Sequence, residues 1–211
     1  MTRLLYLYVQ DTMADWEPAY LLAELISGRF FEHPDQPYQL RLCGRTCDPI
    51  TTMGGIRLIP EMTMDDIEPS SERVLILPGA MTWLDPVQEP ILERVRGFLE
   101  TGMVIGAICG ATMGLANTGL LNNRPHTSND LAVLKQFCPN YTGEEYYVST
   151  PAVVDGNLIT AGGFAAVDFT YEVMKKLNVM REASLEAWYH LYLTKKPEYF
   201  YQMMESLGEG K

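Results

Sequence analysis

The residue of this chain best suited to covalent chemistry is Cys109, in the stretch "VIGAICGATMGLA" from Val104 to Ala116. Ala107, Ile108, Cys109, Gly110 and Ala111 run from an apolar strand pattern directly into a helix pattern. A nucleophile on so sharp a turn needs small neighbours, and the N–H after it faces a developing oxyanion, as in a G-x-S-x-G elbow. Gly110 supplies that N–H. A helix N-terminus beside the sulfur favours thiolate over thiol, so a pKa below the free value of about 8.5 is expected. The same residues also suit a buried thiol at a tight helix–sheet contact, because cysteine is among the most buried residue types. Local pattern leaves both readings open.

Partners for Cys109 must come from neighbouring strand ends. Residues 3–9, "RLLYLYV", read as a buried parallel strand. The helix after it is expected to start near Pro18, with Glu17 at its mouth and Trp16, Ala19, Tyr20, Ala23 and Ile26 facing inward. An acidic residue there is ordinarily a cap, and Asp15 would serve equally. A second strand, "YQLRLCG", precedes two short extended pieces joined at Gly54-Gly55, expected to extend the sheet's edge. The strand "RVLILPGA" is stopped by Pro78-Gly79, exposing the N–H groups of Gly79 or Ala80 as anion donors. A helix over 86–100 then leads into the strand before Cys109. Beyond the elbow, "RPHTS" is expected as a short strand, "SNDLAVLKQF" as a capped helix, and Asp155-Gly156 as a hairpin turn before a helix over "AAVDFTYEVMKKLN". Strands alternating with helices imply a mainly parallel α/β sheet covered on both faces. Its ligand crevice lies beyond the carboxyl ends of the strands, where Glu17, Gly79 and Cys109 would meet.

Composition narrows the function. With 16 basic and 27 acidic residues the net charge is -11, which repels nucleic acid. No apolar run approaches the ~20 residues of a membrane span, and the N-terminal run lacks a cleavage site, so a cytoplasmic protein is expected. Cysteines at 43, 47, 109 and 138, with three scattered histidines, form neither a disulfide framework nor a zinc site. Neither metal nor cofactor is expected.

Taken in order over residues 3–177, the first strand with Glu17, "PITTMGGIRLIPEMTMDDI", "VLILPGA", "AICGA", "RPHTSN" and "DGNLITAGG" resemble the ThiJ/PfpI superfamily. These class I glutamine-amidotransferase-like proteins include the Parkinson-associated deglycase and an archaeal intracellular protease. The resemblance implies a flavodoxin-like three-layer sandwich over 1–178, with 179–211 a C-terminal helical extension packed on the same domain. It makes Cys109 the elbow cysteine, Glu17 the pocket carboxylate, and Gly79 or Ala80 with Gly110 the oxyanion donors. It implies a cysteine hydrolase of the amidase or protease class acting on a small molecule or peptide, in a homodimer or higher homo-oligomer. The alternatives are glyoxalase, deglycase or isonitrile-hydratase chemistry on small electrophiles, and a cysteine redox sensor. The family commonly places a histidine after the cysteine or at the end of the next strand, where this chain has Gly110 and Ser128. His126, displaced along that strand by about 6.6 Å, is either a substitute orienting base or a partly buried strand histidine with a backbone partner. Ser128 is expected to line the pocket, and Trp83 either shapes its mouth or is a structural tryptophan. Beyond the family core, Leu185, Trp188, Tyr189 and Tyr192 form one helical stripe, and Tyr199, Phe200, Met203, Met204 and Leu207 another, core-facing or partner-facing.

Overall fold

A computed structural model describes residues 3–208. The strands are β1 (Leu4–Tyr8), β2 (Gln39–Gly44), β3 (Ile50–Thr51), β4 (Arg57–Leu58), β5 (Met62–Thr63), β6 (Val74–Leu77), β7 (Val104–Ile108), β8 (Ala152–Asp155) and β9 (Leu158–Ala161). Seven of them form one sheet in the order β5-β2-β1-β6-β7-β9-β8, parallel throughout except for the antiparallel β8. Each central strand is apolar on both sides, and the period of two divides its residues between two cores. Leu5, Leu7, Val74 and Ile76 enter one; Tyr6, Tyr8, Leu75 and Leu77 enter the other. Helices α1 (Ala19–Ser27) and α5 (Ala166–Leu177) cover the first face, while α2 (Glu89–Glu100), α3 (Gly110–Asn117) and α4 (Leu131–Phe137) cover the second. This is the flavodoxin-like three-layer sandwich expected from the sequence.

Three local expectations change. The inward face of α1 carries Leu21, Glu24 and Leu25, whereas Trp16, Tyr20 and Ile26 are 50%, 38% and 36% exposed and Ala19 and Ala23 also face outward. "AYLLAELIS" is apolar on nearly every side, so a helical period fits either face. Glu24 is tolerated inside because Arg29 Nη2 and Trp188 Nε1 donate to its Oε1 at 2.5 and 3.0 Å. The segment "RPHTS" forms no strand; one isolated bridge joins His126 to Tyr147. The Gly54-Gly55 pieces pair only with each other, as the β3–β4 hairpin, and the sheet's edge is β5.

After α5 the chain continues as α6 (Glu182–Thr194) and α7 (Glu198–Gly208). Trp188 of α6 is fully buried in the core shared with α1 and α5, and Met203 anchors α7. The rest of the α7 stripe is divided, with Phe200 and Met204 exposed. No helix among the described residues is long and apolar enough to cross a membrane.

The fold brings three loops to the carboxyl edge of β1, β6 and β7. Ala14 N–H donates to Gly79 O at 2.9 Å, tying the loop after β1 to the loop after β6. Cys109 N–H donates to Ala161 O at 2.9 Å, tying the elbow to the end of β9.

Candidate active site

Cys109 has φ 58° and ψ -124°, a region that side-chain-bearing residues rarely enter. Such a conformation costs about 1–3 kcal/mol and persists only where its surroundings fix it. Here the Cys109 carbonyl accepts both the N–H of Thr112 at 3.0 Å and its Oγ1 hydroxyl at 2.6 Å. Ser128 Oγ backs that hydroxyl at 2.6 Å. The small neighbours have a steric cause. A β-carbon on Gly110 would lie 2.6 Å from Ala80 O, and one on Gly114 would lie 3.2 Å from the Trp83 ring. The position after the cysteine therefore has no room for a histidine.

Glu17 is fully buried, and its Oε2 accepts the Gly79 N–H at 2.5 Å. Its Oε1 is also buried and has no hydrogen-bond partner of good geometry. A β-carbon on Gly163 would stand 2.7 Å from Cys109 Sγ and 3.2 Å from Glu17 Oε1, so sulfur and carboxyl flank one point. Burial pushes the Glu17 carboxyl up to about 7, against smaller lowering effects from Gly79 and Cys109. The thiol is also pushed up, first by burial, then by the Glu17 charge and its hydrogen bond. Asn129 and, more weakly, the Gly110 N–H oppose this. The lowered thiol pKa expected from the helix N-terminus is thus corrected, because desolvation outweighs one turn-end N–H. The two groups titrate as a coupled pair.

Asn129 is a contact that the sequence reading missed. Its Oδ1 accepts the Gly163 N–H at 2.7 Å, which fixes the amide so that Nδ2 donates to Cys109 Sγ at 3.3 Å. Trp16 Nε1 holds the same glycine through its carbonyl at 3.2 Å. The carboxamide is a donor that does not titrate. Asn129→Asp replaces it with an anion and is expected to slow Cys109 alkylation at pH 7.5 about tenfold, whereas Asn129→Ala slows it less. Equal rates for Asn129→Asp and the unaltered protein would show that the contact does not support the thiolate.

The other expected site residues are distributed unevenly. His126 is fully buried, with Nδ1 on Arg124 O and Nε2 on Tyr141 Oη, each at 2.8 Å. Both ring nitrogens are engaged away from the sulfur, and burial lowers the imidazole's pKa, so the substitute-base expectation is corrected. Trp83 is 2% exposed, donates to Pro78 O at 2.7 Å and packs beneath α3, so it supports the elbow from within and does not form a mouth. Ser128 braces the elbow and lines an adjoining cavity. The Gly79 N–H is occupied by Glu17, and the Ala80 backbone lies against Gly110. Among the described residues, no group of three or more His, Cys, Asp or Glu could hold a metal ion.

The model of the DJ-1/PfpI family matches residues 3–176. The chain belongs to the DJ-1/PfpI family. That is the superfamily the ordered motifs resemble, and the match spans β1 to α5. The chain is 47% identical over 207 residues to "Uncharacterized protease YoaZ" of Bacillus subtilis, covering 98% of this chain and 99% of the relative. The crystal structure of a thiJ/pfpI family protein from Bacillus anthracis superposes with a TM-score of 0.94 at 48% identity, covering 98% and 97% of the two chains. Both relatives extend over α6 and α7, beyond the family model. More distantly, the chain is 22% identical over 144 residues to "Glutathione-independent glyoxalase DJR-1.2" of Caenorhabditis elegans, covering 66% and 73%.

Proposed function

We propose that this family member is a cysteine-nucleophile enzyme in which Cys109 adds to an electrophilic carbonyl carbon and Glu17 carries the proton. The observation that supports it is the buried Oε1 of a carboxyl poised near neutral pH, which has the Cys109 thiol beside it and no other hydrogen-bond partner. A base is most effective when its pKa lies near the working pH. Sγ attacks the carbon, the thiol proton passes to Oε1, and the developing oxyanion is held by the N–H groups of Ala80 and Gly110.

The geometry suits a small α-oxoaldehyde best. Sulfur adds to the aldehyde carbon, and Glu17 returns the thiol proton to the alkoxide. Moving the proton of that carbon to the neighbouring carbonyl carbon, and the hydroxyl proton of the adduct to the neighbouring carbonyl oxygen, both through Glu17, gives a 2-hydroxy thioester, which water hydrolyses to the 2-hydroxy acid and the free thiol. One carboxyl can carry each proton in turn, and no amine departs. Amide or peptide hydrolysis is the second reading, supported by the name of the 47% identical relative. It asks Glu17 to protonate a leaving amine as well, with the His126 imidazole engaged elsewhere. Methylglyoxal, small amides and a peptide mixture offered to the protein and to Cys109→Ser separate the readings. The expected result is methylglyoxal consumption that Cys109→Ser abolishes. Peptide cleavage lost in Cys109→Ser, without aldehyde turnover, would replace the first reading with the second.

A further inference from the structure

Beside the elbow lies a cavity of about 350 Å³. Asn129 lines it and also donates to Cys109 Sγ at 3.3 Å, so one side chain separates the cavity from the nucleophile. Farther out, Tyr147, Phe164 and Asp168 line it. Its lining is rich in hydroxyl groups and contains one carboxylate, Asp168, and no Lys, Arg or His. Asp168 Oδ1 accepts the Tyr189 hydroxyl at 2.7 Å, which orients the carboxylate from α6. Among the described residues no Lys or Arg forms an ion pair with Asp168. Glu172 on the next turn of α5 adds negative potential, and Lys175 Nζ is drawn to the Tyr171 hydroxyl at 3.2 Å. Phe164, adjacent in sequence to the Gly163 that abuts the sulfur, has a fully exposed ring. An uncompensated carboxylate beside an open aromatic face is a site for an organic cation.

We propose that this cavity selects electrophiles carrying an ammonium or guanidinium group on a chain of lysine or arginine length. Asp168 binds the cation, Phe164 offers its ring face, and the reacting carbon reaches Cys109. A sphere of the cavity's volume is about 9 Å across, enough for such a chain and small for a folded peptide. The inference rests on Cys109 being the nucleophile, and it makes Asp168 a specificity residue, with Tyr189 positioning it.

The test uses three methanethiosulfonates, a small neutral one bearing a methyl group and two of similar size bearing a trimethylammonioethyl or a sulfonatoethyl group. In each reaction Cys109 sulfur bonds to the reagent's thiol sulfur, methanesulfinate leaves, and the thiol proton passes to Glu17 or solvent. Cys47→Ser is the background, because Cys47 is an exposed thiol while Cys43 and Cys138 are buried. Rates are read by mass spectrometry and normalised to the methyl reagent. The cation should outpace the anion about tenfold, and Asp168→Asn should cut that ratio about fourfold or more. Tyr189→Phe, which keeps the charge but releases the carboxylate, should lower the ratio by less than Asp168→Asn does, and a fall as large as that of Asp168→Asn would count against the charge as the cause. Glu100→Gln, a carboxylate on α2 in the opposite layer, should not alter it. No preference in the background protein, an unchanged ratio in Asp168→Asn, or an equal fall in Glu100→Gln would overturn the proposal. Failure of the methyl reagent to modify Cys109 would instead remove the nucleophile reading, and this inference with it.

Discussion

Glu17→Gln is expected to make the protein more stable than its parent at pH 8 while lowering turnover by about 10²- to 10⁴-fold. The Glu17 carboxyl is raised from 4.5 to about 7 by burial. Between those values the folded chain keeps a proton that the unfolded chain has released. Stability contributed by this group is therefore full below pH 4.5 and falls as pH rises toward 7. A shift of that size corresponds to about 3 kcal/mol lost above pH 7. Glutamine can still accept the Gly79 N–H and never ionises, so the variant escapes that loss. Thermal unfolding of both proteins across pH should give curves that run parallel below pH 4.5, diverge between pH 4.5 and 7 and keep a constant gap above pH 7, with the variant higher. Curves that stay parallel up to pH 8 would show that Glu17 ionises in the fold at little cost.

The second large effect is expected from Gly163→Ala. The new β-carbon would stand 2.7 Å from Cys109 Sγ, 3.0 Å from its Cβ and 3.2 Å from Glu17 Oε1. Real β-carbons do not approach so closely, and the elbow backbone, held by Ala161 O and Thr112, cannot retreat freely. The sulfur must rotate away from Asn129 and Glu17, breaking the alignment from which a reaction gains its proximity advantage. Turnover and Cys109 alkylation should fall about 100-fold, with destabilisation of about 1–3 kcal/mol from overpacking. Gly55→Ala provides a contrast. At that position φ is 84°, but nothing lies within 4 Å of the new carbon, so a stability loss without an effect on alkylation is expected. Normal alkylation in Gly163→Ala would mean that the sulfur does not occupy the position described.

The elbow was legible in the sequence because its demand is steric. Contact with Ala80 and Trp83 requires glycine at 110 and 114, contact with Phe169 and Ile76 requires it at 106, and those requirements leave a local pattern around Cys109. Order along the chain supplied Glu17 and the sandwich. The outward face of α1 was illegible because periodicity cannot choose between two apolar faces, and the choice falls to Leu21 and Leu25 against the sheet. Asn129 was hidden beside Asp130, whose side chain accepts the N–H groups of Ala132 and Val133 as the cap of α4, so the pair reads as a helix start. Strand spacing placed His126 near the site, but spacing says nothing about where ring nitrogens bond. The direction of the thiol shift depended on how far burial outweighs a helix end, a balance set by the loops that close over Cys109.

The central claim is that Cys109 and Glu17 share a proton. The direct measurement is the rate of Cys109 alkylation by iodoacetamide from pH 5 to 10, in the Cys47→Ser background with and without Glu17→Gln. A shared proton predicts two rising steps with Glu17 present, the first near pH 7 and the second above the ordinary thiol range. With glutamine it predicts one step, below the second step of the parent, because the carboxylate charge is gone. Identical single-step profiles in the two proteins would contradict the account.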